Sequence, residues 1–238
     1  MNSRKFILLC ISILFSLALS AEQMTFSADS MTGTAGSKSS TTILKGNAMV
    51  KTESMEIHAQ TIELSGKNFR RIKASGTVSG KNTESKIEFT CEDMEYDRQT
   101  KTAVLRQGVE LSDTENGVNA KAWLIEYNQK KETAIMQIQV NLTQKKNVCT
   151  SAYAIYSKGE QKLEMSGNPQ IVQDGDTFRA QVIFLDMETQ EITLTGRVKG
   201  SVSTEEQGKA EAKKSEEPEN ISNMDETEIP EEQNGITE

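Results

Sequence analysis

Histidine is almost absent from this chain. His58 is the only one among 238 residues, and there are three cysteines. A zinc site takes about four Cys, His or carboxylate ligands, and one histidine with separated cysteines cannot supply them. A serine or cysteine nucleophile needs a base within reach, and His58 has no evident partner. Asp93 and Asp97 are the residue types of a glycosidase pair, but they flank a polar turn, where charge is the ordinary wet face of a hairpin. The chain therefore reads as non-enzymatic, with no metal and no cofactor. A basic surplus is missing too: the net charge is −8, whereas nucleic-acid binders are usually basic. After Leu19 no run is apolar enough for a spanning helix, which takes about 20 residues. Proline occurs three times, and only Pro169 lies in the body of the chain.

The two ends differ from that body. MNSRK is a short cationic lead, FILLCISILFSLAL is apolar, and ALS precedes AEQ. This pattern predicts a secretory leader, residues 1–20, cleaved after Ser20, with small residues Ala18 and Ser20 at the cleavage site. Cys10 sits inside the apolar run rather than at its end, which argues against a lipoprotein site. From Ser203 the chain carries twelve acids against three lysines and no aromatic residue. Such a segment cannot bury enough apolar surface to offset its ordering entropy, so residues 203–238 read as a disordered, solubilising acidic tail. The tail accounts for the negative charge, and residues 21–202 are close to neutral and of one-domain size.

That body repeats itself. Ala28, Ala59, Cys91, Ala122, Ser151 and Ala180 recur at intervals of 31, 32, 31, 29 and 29. Two residues before each stands Phe26, Ile57, Phe89, Ala120, Cys149 or Phe178. Three and five residues after stand such pairs as Ile62 and Leu64, Met94 and Tyr96, Ile125 and Tyr127. Alternation thus runs, skips one residue and resumes on the opposite parity, which marks a bulge or corner in a strand. Polar turns follow (SGKN, DRQTK, NQKKE, SKGEQ, DMETQ), and a return strand carries a second column, Gly46, Gly76, Gln107, Ile138, Gly167 and Gly196. Glycine weakens a strand unless backbone must bend or pass close there. Period-two alternation places one face inward and the other in water. With no sustained helical period, the expectation is an all-β body of at least twelve strands. Six hairpin repeats of about 30 residues would stack by nearest-neighbour contact, leaving an unpaired strand edge at each end. Pro169 removes one ladder donor and predicts a local bulge.

The phrases FSADSM, IHAQTIEL, CEDMEYDRQTKTAVLRQGVEL and MSGNPQIVQDGDTFRAQVIFLDMETQEITLTGRVKG resemble the OstA-like (organic solvent tolerance A) family. Its pattern is an A-D-x-apolar phrase, a turn, then x-L-x-G-x-V, and it covers the chain from about Phe26 to Val202. The A-D phrase is intact only at Ala28–Asp29; Cys91 is followed by Glu92. The resemblance implies an elongated, semi-closed β-jellyroll, a V-shaped roll with an apolar groove. It also implies head-to-tail homo-oligomers and periplasmic transfer of lipopolysaccharide or another glycolipid from inner to outer membrane. Inner- and outer-membrane transport proteins with similar domains would then be the partners, and nucleic acid would not.

On that basis the inward columns of the middle copies, Leu105, Val109, Ile125, Met136, Ile138 and Val140, are the candidate lipid-binding residues. Met94, Met136 and Met165 also fall on inner columns, where methionine adapts to varied apolar partners. The competing reading is a structural β-roll, an envelope scaffold or adhesin-like stalk, in which the same columns form a closed core without ligand. Cys91 and Cys149 lie two copies apart. Strands stack about 4.8 Å apart, so such positions are displaced by roughly 10 Å or more, beyond the reach of a disulfide. Both thiols are expected to be buried and unpaired. His58 falls on the outward parity of its strand, and the turn cations Lys67, Arg70, Arg71, Lys130 and Lys131 are candidates to meet lipid phosphates, with solvated turn charge as the default reading.

Overall fold

The computed structural model describes residues 23–33 and 41–203. The leader and the acidic tail of the sequence reading lie outside these residues, apart from Ser203. The described chain forms sixteen strands: β1 (Thr25–Ser27), β2 (Ser30–Gly33), β3 (Thr42–Lys51), β4 (Met55–Ser65), β5 (Arg71–Asn82), β6 (Ile87–Asp97), β7 (Thr102–Asp113) and β8 (Val118–Asn128). They continue with β9 (Thr133–Gln144), β10 (Asn147–Ser157), β11 (Lys162–Ser166), β12 (Gln170–Gln173), β13 (Asp176–Arg179), β14 (Val182–Asp186), β15 (Ile192–Thr195) and β16 (Lys199–Ser201). One 3-10 turn, Lys67–Phe69, joins β4 to β5. All strands belong to a single sheet, and every pairing is antiparallel.

The sheet is a β-jellyroll because every long strand bends in the middle. β3 pairs with β1 through one half and with β2 through the other, and β10 likewise spans β12 and β11. From β3 to β10 each ladder breaks register once, at Lys45/Ala48, His58/Thr61, Ser75/Val78 and onward. The halves on one side of these breaks make a first wall, running from β2 to β15. The other halves make a second wall, from β1 to β16. The skipped residues of the sequence, among them Gln60, Glu92 and Trp123, sit at the corners joining the walls.

The second column supplies the other half of each corner. Gly46, Gly76, Gln107, Ile138, Gly167 and Gly196 all have positive φ, from 65° to 79°, and the residue after each is positive as well. This explains the recurring glycine, which enters the left-handed region without a Cβ penalty. It also corrects the reading of Ile138. Alternation placed that side chain inward beside Met136 and Val140, but φ of 65° turns it outward, and it is 55% exposed. A β-branched residue in the left-handed region is strained by about 1–2 kcal/mol. Ile138→Gly is therefore expected to stabilise the fold by about 1 kcal/mol, read as a rise in thermal midpoint with an unchanged β-sheet signal. A fall in the midpoint would mean that exposed Ile138 packs against the corner more than its strain costs.

At Pro169 the strand breaks outright into β11 and β12 rather than merely bulging. Cys91 and Cys149 are both free and buried. Burial pushes the Cys91 thiol up to about 11 and the Cys149 thiol to about 12, so neither is a reactive thiolate.

Candidate functional site

The inner faces of both walls meet in one apolar layer. In the first wall, Leu105 pairs with Ile125 and Ile125 with Met136 across β7, β8 and β9. In the second, Val109 pairs with Ala122, and Val140 with Ser151. Leu105, Val109, Ile125, Met136 and Val140 are all at most 2% exposed. Of the six sequence candidates, the fold thus brings five to the interior and turns Ile138 out. Side chains in the second wall near the corner are small (Ala48, Ala59, Val78, Cys91, Ala122), while Leu44, Ile62, Met94 and Met165 line the first.

Burial weakens toward both ends of the sheet. β1 and β2 are exposed throughout, as is β16, and β15 is only half-buried. Phe26 and Met31 at one end, and Val198 and Val202 at the other, are 42–64% exposed. Each of these four strands has a single described neighbour, so among the described residues both ends present strand edges without a partner, in line with the repeat pattern.

Opposite the corners lies the mouth, where the strand ends of the two walls face each other. It is polar, and the reading of apolar columns overlooked it. The first wall contributes Tyr96, Tyr127 and Tyr156, the last inward residues of β6, β8 and β10. The second contributes Thr52, Asn82, Asp113 and Gln144, all at most 6% exposed. The hydroxyl of Tyr156 donates to Asp113 Oδ2 at 2.8 Å, and Asn116 Nδ2 donates to the same oxygen at 2.9 Å. Lys158 Nζ lies 3.4 Å from Asp113 Oδ1 and also contacts Glu115. Further along, Gln144 Nε2 donates to the Met187 carbonyl at 3.1 Å, and Asn147 Nδ2 to Gln190 Oε1 at 2.8 Å. Gln129 Nε2 donates to Glu84 Oε2 at 3.0 Å. Apart from Asn116–Asp113, which is local to one turn, these bonds join residues 43 or 45 apart in sequence, about one and a half repeats, so the walls are staggered by a nearly constant amount.

Burial and the bond to Asp113 hold the Tyr156 phenol well above its ordinary pKa. Burial alone pulls Lys158 down, but Glu115 and Asp113 more than compensate and keep it raised. Tyr127 is raised by burial against the opposing influence of Ser85. Neither Tyr127 Oη nor Ser85 Oγ makes a hydrogen bond of good geometry. A sequence signal for this row existed: Thr52, Asn82, Asp113 and Gln144 recur at intervals of 30, 31 and 31.

Elsewhere polar groups pair locally. His58 is exposed, with Nε2 2.9 Å from Glu56 Oε1. A concavity of about 580 Å³ on the outer face of the second wall is lined by Glu56, His58, Lys81, Glu88, Glu110 and Lys121. Its charges already form cross-strand pairs at 2.6–3.0 Å. Among the turn cations, Arg70 binds Asp97 through Nε and Nη2 at 2.6–3.0 Å. That bond, reinforced by the Gln99 and Thr100 amides, holds the Asp97 carboxyl down at about 2. Its folded pKa lies below the unfolded value, so its stabilisation is present above about pH 4 and is lost as pH falls through 2. Arg70→Met is expected to flatten the stability–pH curve between pH 4 and 2 relative to the parent chain, read from urea midpoints at successive pH. An unaltered acid limb would show that Arg70 and Asp97 are not paired in solution.

No curated protein matches this chain. Among solved structures it is similar to LptH from Pseudomonas aeruginosa, described as the LptA homologous periplasmic component of the conserved lipopolysaccharide transport device. Identity is 12%, coverage is 77% of this chain and 96% of that one, and the TM-score is 0.24. Residues 27–158, more than half of the chain, match the family described as LptA/(LptD N-terminal domain) LPS transport protein. With its bent antiparallel strands and single apolar interior, the chain belongs to that family.

Proposed function

We propose that the protein is a non-enzymatic periplasmic carrier. It holds the acyl chains of lipopolysaccharide or a similar glycolipid between its two walls and passes them from inner to outer membrane. Copies join end to end with one another and with membrane proteins bearing similar domains. The observation that carries this reading is the apolar layer running from β3 to β14 with an exposed strand edge at either end. Apolar surface favours acyl chains by about 0.8 kcal/mol per buried methylene, and open edges favour strand addition. A second reading, a structural roll without cargo, is favoured by the near-complete burial of the middle residues.

A photocrosslinker at inward Val140, with one at outward Asn141 as control, separates the two in cells. The carrier reading expects a lipid adduct at Val140 and none at Asn141, and mass spectrometry of the adduct identifies the cargo. Intramolecular links alone at Val140 would leave the scaffold reading in its place.

A further inference from the structure

An amphiphile poses a geometric problem for this interior. Its chains suit the apolar layer, but a charged or sugar headgroup cannot be buried there without a large desolvation cost. The headgroup must leave through the mouth, and in this structure the mouth is shut. We propose that the polar row across the mouth is a latch. It closes the empty protein and parts to let chains enter sideways, with the headgroup left outside. This inference rests on the carrier reading.

Three features support it. The walls are covalently continuous at the corners, so they can hinge there while each wall keeps its own ladder. Opposite the hinge, the hydrogen bonds that join the walls are side-chain contacts: Tyr156 on Asp113, Asn116 on Tyr156, Gln129 on Glu84, Gln144 on Met187 and Asn147 on Gln190. Finally, a buried ion pair such as Asp113–Lys158 gives little net stability over its hydrated parts. Water regains both groups on opening, so polar contacts seal the mouth at less cost to reopen than apolar ones of the same area. What opposes opening is exposure of the apolar layer, and acyl chains that cover it supply the differential affinity a ligand needs to shift an equilibrium. Once parted, Asn82, Asn116, Gln129 and Gln144 would stand at the neck of the headgroup, where neutral amides suit sugar hydroxyls.

The test measures the width of the mouth in the full-length mature chain. Spin labels at the exposed turn residues Lys86→Cys and Lys130→Cys, both outside the polar row, flank it, and a pair at Glu53→Cys and Lys86→Cys lies along one wall as reference; the two native thiols are buried. With dodecyl maltoside as probe, the cross-mouth distance is expected to gain a longer population while the reference distance and the β-sheet signal stay fixed. Tyr156→Phe removes one latch bond without stranding a buried charge. It should enlarge the long population at least threefold at the same probe concentration. A cross-mouth distance that stays single and short with probe bound, or that lengthens only as the β signal is lost, overturns the latch. The Val140 adduct reports separately on cargo. A lipid adduct with a mouth that never widens means entry from the ends, and a widening mouth with no adduct keeps the latch and removes the cargo.

Discussion

Ile125→Ala is expected to lower the free energy of unfolding by about 2–5 kcal/mol, near the upper end of that range. Ile125 is 0% exposed and sits between Leu105 and Met136 in adjoining strands. Both flanking ladders fix its backbone, so the walls cannot easily close over the missing atoms, and the cavity adds to the lost transfer free energy. Urea denaturation reads this as a lower midpoint at constant slope. A loss below about 1 kcal/mol would mean that the interior at this level is already loose, as in a standing groove rather than a packed layer. The same residue therefore bears on both stability and cargo. If lipid is carried, wall-to-wall contacts at Ile125 are exchanged for wall-to-chain contacts, and bound amphiphile should offset part of the loss.

How much of this was written in the sequence depends on which force sets each feature. The parity skips at Gln60, Glu92 and Trp123 marked the corners correctly, because burial of one face fixes register and a slip would expose it. The glycine column marked the left-handed half of each corner. It misled at Ile138, where an apolar residue occupies the backbone position that Gly46, Gly76, Gly167 and Gly196 occupy elsewhere. Backbone conformation, not hydropathy, decided which way that side chain points. The break at Pro169 exceeded the expected bulge: the left-handed pair Gly167 and Asn168 has counterparts in β3, β5, β7 and β9, which stay continuous, and here the proline adds the loss of a ladder donor. The separation of Cys91 from Cys149 followed from strand spacing alone, and both are free.

The mouth was not legible in the same way. Polar residues at strand ends read as turn, and Asn82 and Asp113 do cap turns: Asn82 Oδ1 accepts from the Glu84 and Ser85 amides, and Asp113 Oδ1 from those of Glu115 and Asn116. Their second role depends on the stagger between walls, a tertiary quantity that no local pattern encodes. Tyr156 belongs to the fifth copy and Asp113 to the third. Only folding the sheet over itself brings them to 2.8 Å. The recurrence of Thr52, Asn82, Asp113 and Gln144 shows that the position is buried and polar, yet it does not say what each residue will face.

Asp113→Ala is the second large effect, expected to cost about 3–5 kcal/mol as the breaking of a buried ion pair. Asp113 is 0% exposed and accepts from two turn amides, Asn116 Nδ2, the Tyr156 hydroxyl and Lys158. Its removal leaves Lys158, whose side chain is 4% exposed, with Glu115, which is 62% exposed. Most of the loss is the penalty for stranding those donors away from water rather than the net worth of the pair. The double change Asp113→Leu with Lys158→Met takes away the charges together, and it should recover at least half of the single-variant loss. Recovery in that cycle, measured as urea midpoints, would show that the charges at the mouth are not kept for stability. That is the behaviour required of a seal that must reopen. A single-variant loss under 1 kcal/mol would instead place Lys158 in water, with the mouth already parted in the free protein.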